Sequence, residues 1–296
     1  MKLAIPTYNR ADIITTPYLD TFSGYDIYLI FHSEEDKRTY ELKNDISKFT
    51  SVVTGIPSSS DGTAKAKNIE YFIDKYIDDG EWFIFADDNV VSVEGIVDEV
   101  VWQQPSLENI TRDWFGLYDF ETFDKRINEV VEKADSINAH LIGFQVSKNY
   151  FYAHTKYRTR GYVLGKLYLW KKDENFEYDK PFVAMEDFHF SAMHLLNYGC
   201  LLLCDYLWAN AKHFQGGGLG TRDERRSNHA YGTEFMSKKY PGLLKPKTRK
   251  DNYPDLRFVT MSDYNFHVWL ATYKKFREEY AFNNKLMKWL RRASIW

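Results

Sequence analysis

Asp87 and Asp88, followed by Asn89, stand at the end of the apolar run Trp82-Phe83-Ile84-Phe85-Ala86. Adjacent carboxylates repel unless a cation or hydrogen-bond donors compensate them. Hard oxygen ligands of this kind suit Mg²⁺ or Mn²⁺, ions that keep waters and grip a substrate's phosphates. The expected chemistry is therefore the handling of a diphosphate through a divalent cation. A second acidic pair, Glu186-Asp187, opens an apolar helical stretch about a hundred residues downstream. Acids are favoured in a first helical turn by the macrodipole. Two further clusters carry positive charge. Ile5-Pro6-Thr7-Tyr8-Asn9-Arg10 is a strand-to-loop junction whose backbone and Arg10 suit a nucleotide. Lys65-Ala66-Lys67-Asn68 opens a helix, where a lysine gains nothing from the dipole unless an anion sits nearby. Last, His213-Phe214-Gln215-Gly216-Gly217-Gly218 sets a metal-ligand type beside a glycine loop.

These residues need a frame that brings their ends together. Apolar segments bounded by turn residues predict strands at 2–5, 25–31, 51–54 and 81–90, the last ending in the paired acids. Helices are expected over 34–44 and 63–77, the second with Ala66, Ile69, Phe72, Ile73 and Tyr76 on one stripe. Such alternation of strand and helix predicts a largely parallel sheet, with ligands at the carboxyl ends of its strands. Residues 91–120 have weak periodicity and read as an excursion. Beyond it a helix is expected over 121–138, strands over 140–146 and 162–170, a helix over 185–198 and a buried strand over 200–204. Residues 216–220 read as a flexible loop, and the last sixty residues as an irregular basic segment with helices near 263–280 and 283–292.

A chain of 296 residues holds one large domain, or one with an appendage. With 27% charged, 44% hydrophobic and 17% aromatic residues, long disorder is not expected. The net charge of −3 is unevenly spread: residues 236–296 carry 14 Lys and Arg against 5 Asp and Glu, +9, leaving −12 in residues 1–235. We therefore divide the chain into a domain over 1–235 and a basic extension over 236–296 suited to a polyanion. Cys200 and Cys204 lie in an apolar run and read as buried thiols of a reducing compartment. No signal peptide or membrane span is expected, because Met1-Lys2-Leu3-Ala4-Ile5 runs directly into Pro6 and polar residues. The cytoplasm is the expected location. The glycine run lacks the lysine and spacing of a P-loop, and no dinucleotide fingerprint, nucleophile elbow or zinc-ligand spacing is present.

Taken in order, the clusters resemble the nucleotide-sugar glycosyltransferases of the GT-A fold. The pattern is most similar to the TET/JBP-associated glycosyltransferases of phages and kinetoplastids, which glycosylate hydroxylated pyrimidines in DNA. Lys67-Asn68, Asp87-Asp88-Asn89, Glu186-Asp187-Phe188 and Gly216–Gly218 match that family's motifs over roughly residues 1–230. Two positions depart: Asn89 replaces a third acid, and Lys67 stands where Arg is more usual. The resemblance implies an α/β, Rossmann-like domain with a mainly parallel sheet flanked by helices, carrying a mostly helical basic extension. It implies a UDP-sugar donor held by Pro6, Thr7, Arg10, Lys67, Asp87 and Gly217. A Mn²⁺ or Mg²⁺ ion would be bound by Asp88, Asn89 and His213. Asp187 would serve as base with Glu186 beside it, and the acceptor would be DNA containing a hydroxymethylpyrimidine. The alternatives are a polysaccharide, lipid or protein acceptor on the same fold, or an inactive glycosyltransferase-like binding module.

Overall fold

The computed structural model describes residues 1–12, 14–57, 63–104, 111–146, 148–150, 153, 155–174, 185–212, 222–249 and 252–292. The chain opens with β1 (Lys2–Pro6), β2 (Asp26–Phe31), α1 (Glu34–Glu41), β3 (Thr50–Val53), α2 (Thr63–Tyr76) and β4 (Trp82–Ala86). It continues through β5 (Val90–Ile96), α3 (Glu99–Gln103), β6 (Phe115–Leu117), α4 (Phe120–Ser136), β7 (Leu141–Phe144), β8 (Tyr157–Arg158) and β9 (Leu167–Lys171). The remainder is α5 (Glu186–Tyr198), β10 (Leu202–Cys204), β11 (Leu207–Ala211), α6 (Arg222–Lys239), β12 (Leu244–Thr248), β13 (Pro254–Phe258) and α7 (Asp263–Arg292).

The molecule is an α/β protein built on one eight-stranded sheet in the order β3-β2-β1-β4-β9-β7-β10-β8. Four of its seven neighbouring pairs are parallel: β2 with β3, β1 with β2, β1 with β4, and β7 with β10. Strand β9 is antiparallel to both β4 and β7, so it joins the two parallel groups. Successive side chains of a strand point to opposite faces, and two cores form accordingly. Leu3, Ile5 and Ile84 face Phe123, Ile127 and Val130 of α4 and Tyr40 of α1. Ala4, Phe83 and Phe85 face Phe72 and Ile73 of α2, Phe188 and Phe190 of α5, and Met236 and Leu256 further along. Each such large apolar side chain contributes roughly 1.5–3 kcal/mol by leaving water.

Several elements differ from the sequence-based expectation, each for a local reason. The fourth strand stops at Ala86, and Val90 begins a strand of a separate three-stranded sheet, β11-β5-β6. Asp87, Asp88 and Asn89 are therefore the turn between two sheets. Residues 91–120, read as an excursion, hold most of β5 together with α3 and β6. The strand expected from residue 162 begins only at Leu167, because the Val163 N–H donates to Ser191 Oγ of α5 instead of a ladder partner (3.0 Å). The basic segment expected to be irregular holds the end of α6 and the β12–β13 hairpin, and the division at residue 236 falls inside α6. The two terminal helices are one, α7, since Asn283 and Asn284 cost a helix well under a kcal/mol each compared with Ala.

Candidate functional site

At the carboxyl end of β1, Pro6 closes the strand and the Thr7 N–H donates to Ile30 O of β2 at 3.0 Å. A directed chain of hydrogen bonds runs from there. The Arg10 N–H donates to Tyr40 Oη (2.9 Å), the Tyr40 hydroxyl meets Thr7 Oγ1, and Thr7 Oγ1 donates to Asp88 Oδ2 (2.9 Å). The other Asp88 oxygen accepts from Arg10 Nη1 at 2.8 Å, with the Asp88 side chain 4% exposed. Burial alone would pull the Arg10 guanidinium down, but the Asp88 charge holds it above its usual value. Arg10 Nε is buried without a hydrogen-bond partner among the described residues. The adjoining loop is fixed by Asn9, which takes a left-handed φ of 50° and donates its N–H to Asp36 Oδ1 (3.3 Å). Asp36 Oδ2 also contacts His32 Nδ1 at 2.9 Å, and Tyr8 packs edge-on against His32.

Asp87 points the other way. Its carboxylate is 27% exposed and accepts from Lys65 Nζ at 2.8 Å, and the same ammonium lies 3.7 Å from Glu186 Oε1. One lysine of α2 thus spans the acid at the end of β4 and the acid at the start of α5. Lys65 also sits 5.1 Å over the Phe85 ring. Burial opposes its charge, yet Asp87, Glu186 and Asp187 together raise its pKa above the ordinary lysine value.

Met185 sets the direction of α5. It is the N-cap at φ 84° and ψ 33°, a left-handed conformation unusual for a side chain of its size, and its burial holds it there. Glu186 and Asp187 thereby occupy the first turn. Asp187 Oδ1 accepts from the Phe188 N–H at 3.0 Å, and Oδ2 accepts from the Tyr162 hydroxyl. Burial, then the Glu186 charge, pushes the Asp187 carboxyl up to about 7, against the pull of Tyr162, Lys65 and the Phe188 N–H. A carboxylate poised there exchanges protons at neutral pH. Gly165 lies against this group, and a pocket of ≈ 20 Å³, room for about one water, is lined in part by Lys65, Gly165, Glu186 and Asp187. No protein-family model matches the chain, and no curated protein does.

The structure brings Thr7, Arg10, Asp87, Asp88, Glu186 and Asp187 to one end of the sheet, with Pro6 closing β1 beside them. Lys67 is not with them: it is exposed on α2, because Ala66, Ile69 and Ile73 turn inward and Lys65 flanks that stripe on the β4 side. Its neighbour Asn68 is buried and meets Thr54 Oγ1 at the end of β3. Asp88, expected at a cation, has both oxygens taken by Thr7 and Arg10, whereas Asp87 keeps a half-exposed carboxylate. Asn89 donates its Nδ2 to Lys212 O at 2.8 Å, while its Oδ1 is buried without a partner among the described residues. His213 and Gly217 lie outside the described residues. Among the described residues no group of three His, Cys, Asp or Glu has the geometry of a metal site, and no helix is long and apolar enough to cross a membrane.

Tyr162 and Lys166 were expected only as residues of a strand over 162–170, with no part in the site. Tyr162 follows a glycine outside any regular element and carries no periodic signal. Lys166 accepts the Asp87 N–H on its carbonyl (2.9 Å), makes no ion pair among the described residues, and burial pulls its ammonium below the usual lysine value.

Proposed function

We propose that the protein is a GT-A-type glycosyltransferase that moves a sugar from a UDP-sugar to the hydroxyl of a hydroxymethylpyrimidine in DNA. The observation that carries this reading is the Lys65 bridge between Asp87 at 2.8 Å and Glu186 at 3.7 Å, which joins two acidic motifs a hundred residues apart. The sheet supports it as well: the parallel strands β3-β2-β1-β4 bring their carboxyl ends together beside these residues, where open α/β sheets hold their ligands.

The Arg10–Thr7–Asp88 network faces the nucleoside, with Arg10 Nε as an unspent donor. The half-exposed Asp87 carboxylate and the unpartnered Asn89 Oδ1 are hard oxygen donors that fit Mg²⁺ or Mn²⁺. These two, with His213, would hold the ion, which when bound offsets the negative charge of the departing diphosphate. Lys65 supplies a fixed positive charge between Asp87 and Glu186. The acceptor oxygen attacks the anomeric carbon as the bond from that carbon to the diphosphate oxygen breaks. Asp187 takes the hydroxyl proton, Tyr162 keeps its carboxylate aimed, and direct displacement inverts the anomeric centre.

Incubation with UDP-sugars, Mn²⁺ and 5-hydroxymethylpyrimidine DNA, followed by digestion to nucleosides and mass spectrometry, tests this. The expected product is a pyrimidine nucleoside heavier by one sugar. UDP release without modified nucleoside would move the acceptor to another class, and the absence of both would end the glycosyltransferase reading.

A further inference from the structure

Strand β9 runs antiparallel to β4 with Leu167 opposite Ala86. The pairing continues one residue further, where the Asp87 N–H donates to Lys166 O at 2.9 Å. Lys166 therefore stands directly across from Asp87. Side chains alternate along a strand, so the neighbours two residues away show which face this pair occupies. Tyr168 and Phe85 are those neighbours, and their rings stack at 4.5 Å between centroids. Both belong to the core that α2 and α5 cover. Lys166 and Asp87 extend the same face, on which Lys65 lies 5.1 Å over Phe85. Residues opposite each other on such a face have Cβ atoms about 4.5–5.5 Å apart.

A lysine and an acid so placed ordinarily pair with each other. Here they do not. Asp87 is taken by Lys65 at 2.8 Å, and the Lys166 ammonium makes neither an ion pair nor a hydrogen bond among the described residues. Lys166 is nonetheless half-buried, with burial opposing its charge and Asp87 favouring it. Holding an ammonium partly out of water without a partner costs stability.

The site is also short of positive charge. Asp87, Glu186 and Asp187 all act on one ammonium, that of Lys65. A diphosphate brought to these acids is repelled unless further cations answer it. A lysine is a compact point charge on a flexible stem, and it reaches phosphate oxygens readily.

We infer that Lys166 binds the diphosphate, its ammonium taking a phosphate oxygen beside Asp87 while Lys65 stays fixed between Asp87 and Glu186. This rests on the function proposed above and adds to it a residue that holds the leaving group. The partner that the ammonium lacks in the free protein then arrives with the substrate. Lys166 keeps its proton throughout and offsets the charge that grows on the departing diphosphate.

Titration of the full chain with UDP, uridine and inorganic pyrophosphate tests this, with Mn²⁺ and again with the metal chelated. In both conditions Lys166→Met should weaken UDP and pyrophosphate by about ten- to a hundredfold, as for a lost hydrogen bond between charged groups. Uridine affinity should stay within about twofold, since uridine carries no phosphate. Lys166→Arg, which keeps the charge, should recover most of the loss. Lys166→Met should also unfold at the wild-type temperature or above it, whereas loss of a lysine with a structural role would lower that temperature. Equal UDP affinity in wild type and Lys166→Met, a parallel loss of uridine, or a lowered unfolding temperature overturns the assignment. The first of these leaves the glycosyltransferase reading standing. Pyrophosphate binding that depends on Lys166, in a chain that takes no UDP, keeps the assignment and removes the nucleotide-sugar donor.

Discussion

Replacing Asp187 with Asn should stabilise the fold while abolishing transfer, and the size of the effect follows from the site. The Asp187 carboxyl rises from 3.8 to about 7, first through burial and then through Glu186. A carboxyl raised in the folded state binds its proton more tightly there than in the unfolded chain. Its contribution therefore favours folding in full below about pH 4 and is lost as pH climbs through about 7. The gap corresponds to on the order of 4 kcal/mol at 1.36 kcal/mol per pH unit. Asn cannot ionise and escapes this penalty, though it gives up the charged hydrogen bond from Tyr162. We expect no difference from the wild type near pH 4, a growing advantage for Asp187→Asn between about pH 4 and 7, and a plateau of about 2–4 kcal/mol above that. For a chain of this size that is a rise in Tm of very roughly 5–15 °C. Thermal unfolding of both proteins at several pH values is the assay. An Asn variant no more stable at about pH 8, or an advantage that does not change with pH, would refute the reasoning.

Tyr162→Phe removes the donor that holds the Asp187 carboxyl down, so the rising limb of the pH–rate profile should move alkaline by about 1–2 pH units. An unmoved profile would remove Asp187 from the role of base. Lys65→Met leaves Asp87 and Glu186 uncompensated and should weaken UDP-sugar binding at least tenfold by calorimetry, an effect of about 1.4 kcal/mol. Lys67→Met, on the exposed side of α2, should change it less than twofold, and equal losses would contradict the placement. Arg10→Ala strands a buried carboxylate at Asp88 and should cost about 3–5 kcal/mol of stability in denaturant titration.

Strong periodicity and abrupt changes of polarity were readable in the chain. The run Trp82–Ala86 is buried throughout and the acids follow it, and α2 buries Ala66, Ile69, Phe72 and Ile73 as their spacing predicts. Glu186 and Asp187 open α5 as the apolar stretch after them suggests. What stayed hidden depends on three-dimensional neighbours. Nothing local distinguishes Lys65 from Lys67 until Phe85 and Asp87 are packed beside one of them. Asp87 and Asp88 are equivalent in sequence, and only the positions of Arg10 and Thr7 turn Asp88 inward. Tyr162 meets Asp187, 25 positions further along the chain and beyond strand β9, from a position that belongs to no regular element. Helix α6 was invisible because Arg222-Asp223-Glu224-Arg225-Arg226-Ser227-Asn228 offers no apolar stripe.

A crystal structure of the full chain with UDP and Mn²⁺ probes the central proposal at closest range. The account predicts the nucleoside against Arg10 and Tyr8, the ion on the Asp87 carboxylate, and the diphosphate between Lys65 and Asp187. Nucleotide density elsewhere on the protein, or a diphosphate out of hydrogen-bonding reach of Lys65, would contradict it.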